Sequence, residues 1–200
     1  MKYILSLLLL ASLCSFSFLD DLYSLSLNTL EGKKVELGSF RGKKLLFVVL
    51  PLSAQDTSFR MGELEALQHK YDTSLIVIGV PAEETGFEKT KETELKALYK
   101  NMPATFILAE GMKVKKSAGA EQSPLFQWLT NKSKNHHFDQ DVLGTGHKFF
   151  VDERGELYAV MGPKIALAHP VMERILSKPL GNVYPVKPYS KKTEEKASAN

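Results

Sequence analysis

Two hundred residues, 44% hydrophobic and 24% charged, suit one α/β domain with a substantial buried core. The formal charge of +3 comes from 26 Lys and Arg against 23 Asp and Glu, spread evenly. No basic groove with interleaved aromatics is written into the chain, so nucleic acid is excluded as a partner. One cysteine, Cys14, excludes an internal disulfide framework.

Residues 1–17 read as a signal peptide: a single charge at Lys2, an apolar stretch from Tyr3 to Leu13, then Ser15 and Ser17. The stretch is shorter than the roughly 20 residues of a membrane-spanning helix. Export to a periplasm or to the outside of the cell is therefore expected, with no transmembrane span after signal removal. Cys14 has two fates. Cleavage after Ser17 discards it; lipidation makes it the anchor of an outer-membrane lipoprotein, although Leu13 before it is larger than that processing prefers. On either course the body of the chain, 18–186, has no thiol.

Alternation over Leu22–Asn28, a turn at Gly32 and Lys33, and then Val35–Phe40 predict an N-terminal β-hairpin. The near-continuous apolar run Leu45–Leu50 suits a central strand buried on both faces. Phe59, Leu64, Leu67 and Tyr71 recur at helical spacing behind the acceptors Asp56, Thr57 and Ser58. Ser74–Val80 is a second buried strand, ended by Pro81, and the three elements make a right-handed βαβ unit.

A helix over Glu88–Lys100 follows, with Leu95, Leu98 and Tyr99 inward, then a strand that runs into a turn at Gly111. Pro124–Leu129 reads as a short helix with Leu125, Trp128 and Leu129 inward, and residues 131–146 as a polar, glycine-bearing loop. Residues 148–161 form a hairpin turning at Glu153, Arg154 and Gly155. Residues 166–178 form a last helix with Val171, Ile175 and Leu176 on the sheet side. The tail, 187–200, lacks apolar content and is expected to be disordered. Parallel strands first and an antiparallel hairpin last predict a thioredoxin-like fold, a central mixed sheet flanked by helices.

In order and spacing these pieces resemble the glutathione peroxidase family over almost all of the chain after the signal. The opening hairpin with its Arg41-Gly42-Lys43 turn, the ELEALQHKY helix, the VPAEETGF loop, the PLFQWL helix and the KFFVDERGEL hairpin carry the resemblance. The resemblance implies hydroperoxide reduction by a cysteine or selenocysteine at the end of the first core strand. There sulfur or selenium attacks the peroxide oxygen and is later restored by thiols.

Counted back from Glu63, that position is Ala54, whose methyl group can be neither ionised nor reversibly oxidised. The family's glutamine corresponds to Glu84, its tryptophan–asparagine pair to Gly144 and Thr145, and its occasional resolving cysteine to Ala82. No catalytic set is assigned on these departures. Pro103 matches the proline before a strand in the broader thioredoxin fold.

Ser53, Gln55 and Glu84 remain as candidates for a polar pocket outside the ends of the first two parallel strands. His136, His137 and Asp139 form a short tract without zinc-site spacing, and a solvated loop is its default reading. No metal and no cofactor is expected. Two readings follow. In the first, an exported, glutathione-peroxidase-like protein without thiol peroxidase activity acts by binding an unidentified protein or small molecule, or as a structural partner. In the alternative, a peroxide reductase of that family, serving the oxidative stress response, uses a non-protein or otherwise unusual redox centre.

Overall fold

The computed structural model describes residues 21–53, 55–56, 61–102 and 106–177. The predicted signal peptide with Cys14, the family-equivalent Ala54, Pro103 and the tail lie outside the described residues.

Chain order opens with a 3₁₀ turn at Leu22–Ser24, so the predicted first strand is shortened to β1 (Ser26–Asn28), which pairs antiparallel with β2 (Lys34–Glu36). Asp21 explains the turn: its carboxylate accepts from the Tyr23 N–H at 3.0 Å, a local bond that competes with extended pairing. A second 3₁₀ turn, Leu37–Phe40, leads into β3 (Lys44–Val49).

The main sheet comprises β3, β4 (Leu75–Val80), β5 (Phe106–Leu108), β6 (Lys148–Val151) and β7 (Leu157–Met161), in the spatial order β5-β4-β3-β6-β7. Strands β3, β4 and β5 run parallel, while β6 and β7 are antiparallel to their neighbours, giving the mixed sheet predicted. Every residue of β3 and β4 is buried, which is why both read as apolar runs rather than alternating ones.

Alternation nevertheless sorts the side chains. Leu45, Phe47 and Val49 face a core shared with α3 (Pro124–Thr130) and the N-terminal turns. Leu46, Val48 and Leu50 face the opposite core, with α1 (Met61–Lys70), α2 (Glu92–Tyr99) and α5 (Pro170–Ser177). The result is a sheet covered on both faces. At the α1 side the buried Gln68 amide acts like a strand neighbour, donating to the Leu75 carbonyl at 3.1 Å and accepting from the Val77 N–H at 3.1 Å.

Two local expectations are corrected. Residues 131–146 are not wholly loop, because α4 (Lys132–Asn135) interrupts them. The buried Asn135 amide organises this segment, donating to Trp128, Leu129 and Phe138 carbonyls and accepting from the His137 and Phe138 N–H groups. The last helix, α5, is shorter than expected; Leu176 and Met172 are buried in it, and Val171 and Ile175 pack half-buried against the same core. Pro170 opens α5 four residues later than the expected start at Ala166. Among the described residues no helix is long and apolar enough to cross a membrane.

Packing is close around Gly79 in β4, where an added Cβ would meet Leu50 Cδ1 at 2.6 Å and Phe106 Cζ at 2.7 Å. Gly79→Ala is therefore expected to lower stability by about 1–3 kcal/mol through overpacking, read as a shift in the urea midpoint with the slope unchanged.

Candidate functional site

Three chain exits meet at one end of the sheet: the C-terminal ends of β3 and β4 and the entry to β6. The register brings them together. Val49 N–H donates to the His147 carbonyl at 3.0 Å, Gly146 N–H donates to the Val49 carbonyl at 2.7 Å, and Leu50 N–H donates to the Val80 carbonyl at 3.0 Å. Ligands of parallel α/β sheets are commonly met outside such strand ends.

Beyond β3 the chain passes through buried Pro51, whose carbonyl accepts from the Tyr99 hydroxyl at 3.1 Å. Burial raises the Tyr99 pKa far above its ordinary value, so the phenol stays protonated and acts as a tether between α2 and this exit. Ser53 closes a turn through its carbonyl, which accepts from the Asp56 N–H at 3.2 Å. Ser53 and Gln55 are exposed, and neither side chain is bonded to another described residue.

Beyond β4, Pro81 and Ala82 are buried, and a 3₁₀ turn at Glu83–Thr85 ends on Gly86 at φ 99°. Glu84, one of the pocket candidates, does not reach Ser53 or Gln55. Its carboxylate accepts from the Val114 N–H at 2.9 and 3.0 Å and from the Lys115 N–H at 2.9 Å. The next N–H, that of Lys116, donates to Asp141 at 2.9 Å, and the same Asp141 oxygen accepts from the Val142 N–H at 2.8 Å. Three successive backbone donors, which together would make an anion site, are thus taken by the chain's own carboxylates.

At the entry to β6, Gly144 has φ 141° and open space beside it, and Gly146 has φ 81°. A residue as bulky as tryptophan at 144 would be strained at that φ, whatever room is available. Thr145 is half-buried.

The next two residues, His147 and Lys148, were not singled out by sequence as functional candidates. The His147 ring is wholly buried and stacks on Phe149 at 4.8 Å; its Nδ1 accepts from the Leu143 N–H at 2.9 Å, and its Nε2 has no partner among the described residues. Burial, reinforced by the Lys148 charge and opposed by Asp141, lowers its pKa to about 4. On the other face of the sheet the buried Lys148 ammonium donates to the Gly146 carbonyl at 2.5 Å and the Ile165 carbonyl at 2.7 Å. Burial lowers its pKa to about 8, with Glu63 opposing. The available signal was Lys148 opening an apolar strand run, which a buried amine requires carbonyl partners to tolerate.

His136, at φ 63°, and His137 are both exposed, while Asp139 pairs with Lys116 at 2.5 Å, which holds its carboxyl below the usual range. Among the described residues no group of three or more His, Cys, Asp or Glu is gathered to hold a metal.

Two expectations can be checked. Glu84→Gln leaves both the Val114 and the Lys115 donors without a charged acceptor, since one neutral carbonyl oxygen replaces the carboxylate. A loss of about 1–3 kcal/mol is expected, with faster hydrogen exchange at both amides. For His147, the unfolded imidazole takes a proton near its ordinary value of 6.5 and the folded one only near about 4. The unfolded state therefore binds more protons between those values, and stability falls as pH drops from about 6.5 to about 4, by roughly 3 kcal/mol. His147→Phe should be less stable at pH 7, having lost the Leu143 bond, but should lose that acid-side decline in urea titrations run at each pH.

The comparisons with known proteins agree with this architecture. The family pattern described as glutathione peroxidase matches residues 22–130. Glutathione peroxidase 2 of Sapajus apella is 29% identical over 136 residues, which span 64% of this chain and 70% of that protein. The glutathione peroxidase homolog BsaA of Bacillus subtilis is 28% identical over 149 residues, 72% of this chain and 89% of that one. Among solved structures, that of T. cruzi GPX1 superposes with a TM-score of 0.58 at 16% identity, covering 78% of this chain and 94% of that one. That likeness shows the thioredoxin-like fold, and the pattern match over more than half of the chain shows the family: this chain belongs to the glutathione peroxidases.

Proposed function

We propose that this chain is an exported glutathione-peroxidase-like protein that carries no thiol peroxidase activity and acts by binding. One observation carries the reading: the sequence has a single cysteine, Cys14, inside the predicted signal peptide, and alanine at position 54. Two-electron reduction of a peroxide by a thiol needs a sulfur that accepts oxygen as a sulfenic acid and gives it up again. Neither alanine nor a serine hydroxyl such as that of Ser53 has that oxidation state within reach.

The neighbouring positions support the same reading. Glu84 stands where the family's glutamine would be, and its carboxylate is engaged by Val114 and Lys115. A carboxylate beside a thiolate would also raise the thiol pKa by like-charge repulsion. Gly144 and Thr145 stand where the family's tryptophan and asparagine would be, on a backbone that a bulky residue at 144 would strain. Lipidation at Cys14, if it replaces cleavage, would add an anchor without adding a thiol to the folded body.

The second reading, a peroxide reductase working through an unusual redox centre, is favoured by family membership itself. One preparation separates the two. The protein is expressed with its full N-terminus and recovered after export. Intact mass then reports whether residue 14 is retained and lipidated. The same material is assayed for hydrogen peroxide and lipid hydroperoxide turnover, coupled to NADPH through glutathione or thioredoxin. The expected result is a rate indistinguishable from the protein-free control, and catalytic turnover by metal-free material would sink the reading.

A further inference from the structure

The edge strand β5 is unlike the strands beside it. All three of its residues are half-exposed, whereas β3 and β4 are buried throughout. The Ala109 N–H donates to the Gly79 carbonyl at 2.9 Å, so the odd-numbered residues of this segment face β4. Even-numbered residues then direct their backbone groups outward. Two outward groups are covered by the N-terminal hairpin: the Leu108 carbonyl accepts from Leu30 N–H at 2.9 Å, and Glu110 N–H donates to the Asn28 carbonyl at 2.8 Å. At Glu31 and Gly32 the hairpin turns away. The Leu108 N–H and both backbone groups of Phe106 are left facing outward with no partner among the described residues.

Along this open stretch runs a groove of about 820 Å³. Its wall on one face of the sheet is β2 with Phe40, and on the other it is the end of α2 with Met102. This is the space that one more strand beside β5 would fill. Four lysines line it, Lys33, Lys34, Lys96 and Lys100, against two glutamates, Glu31 and Glu36. Lys34 pairs with Glu36 and Lys96 with Glu92 at 2.6 Å each, in partly or fully exposed pairs. Lys33 and Lys100 are exposed and carry no ion pair among the described residues. Beyond Leu30 lies a separate hollow of about 380 Å³ lined by Glu83, Glu88, Glu92 and Glu110 against one lysine, Lys89. An acidic ligand is therefore favoured at the Lys33–Lys100 end and repelled at the other.

We infer that this slot takes an extended acidic segment of another protein, which adds to the open edge of β5 as a strand. Backbone pairing supplies affinity in such additions, and side-chain pockets supply choice. Here Phe106, Phe40 and Met102 offer apolar contact to alternate side chains, and Lys33 and Lys100 offer charge. A second copy of this chain fits less well, since edge-to-edge pairing would bring two sets of lysines together; charged edges of this kind are a known guard against self-association. This inference gives the binding reading above a surface, and it stands or falls separately from peroxide turnover.

The test uses the whole chain and a fluorescein-labelled heptapeptide of alternating glutamate and valine, titrated by anisotropy. Its all-lysine counterpart and a version N-methylated at alternate residues serve as controls. Saturable binding of the glutamate peptide alone is expected, weakened at least tenfold by Lys33→Glu with Lys100→Glu. Binding should also slow hydrogen exchange at the Leu108 amide. The inference is overturned by absence of saturable binding, by equal binding of the N-methylated peptide, or by Leu108 protection that instead follows a concentration-dependent dimer in sedimentation.

Discussion

Strand β3 is the centre of the sheet, paired on both edges and buried on both faces. From Lys44 to Val49 it has no exposed residue, and it is held parallel to β4 along six residue pairs and antiparallel to β6 along four. Its last residue is bonded through both backbone groups to the β6 entry, and the next residue is bonded to the end of β4. The exits of three elements are therefore positioned by backbone hydrogen bonding. Such backbone bonding does not depend on side-chain identity, which is how a fold keeps its framework while its site changes.

Much of that framework was legible in residue order. Continuous apolar runs at Leu45–Leu50 and Leu75–Val80 announced strands buried on both faces, because only helices above and below a sheet make such runs tolerable. The PLFQWL segment announced α3, with Ser123 as its cap accepting from the Phe126 N–H. What escaped depends on side chains acting at a distance. Asn135 makes a helix and an ordered corner out of a stretch whose composition says loop. Asp21 converts half of an alternating run into a 3₁₀ turn. The buried status of Lys148 is set by carbonyls at Gly146 and Ile165, the second of which is seventeen residues away.

The candidate site was less legible than the fold, for a related reason. Sequence could place Glu84 near the ends of the parallel strands but not the direction of its carboxylate. That direction is decided by the backbone of residues 114–116, which contributes N–H groups no sequence pattern reveals. Together with Asp141, Glu84 turns a potential anion cradle into a crosslink between the β4 exit, the segment after β5 and the loop before β6. Such charge-assisted bonds are stronger than neutral ones, so they fix three loops at once. Other polar groups near the strand ends are likewise committed to structure, Ser53 and Gln55 excepted: the Tyr99 hydroxyl to Pro51, His147 to Leu143, Lys148 to two carbonyls.

Commitment of that kind bears on what the family resemblance can transmit. Catalysis by a chalcogen asks neighbouring groups to favour its anion, and that requires donors left free to face it. Around these strand ends the donors near Glu84 are already occupied by carboxylates, and the one buried cation is held by carbonyl oxygens on the α1 side of the sheet. The Glu84 carboxylate and its neighbour Asp141 instead spend their charge on backbone donors, so the polar chemistry at this end of the sheet goes into tying loops together.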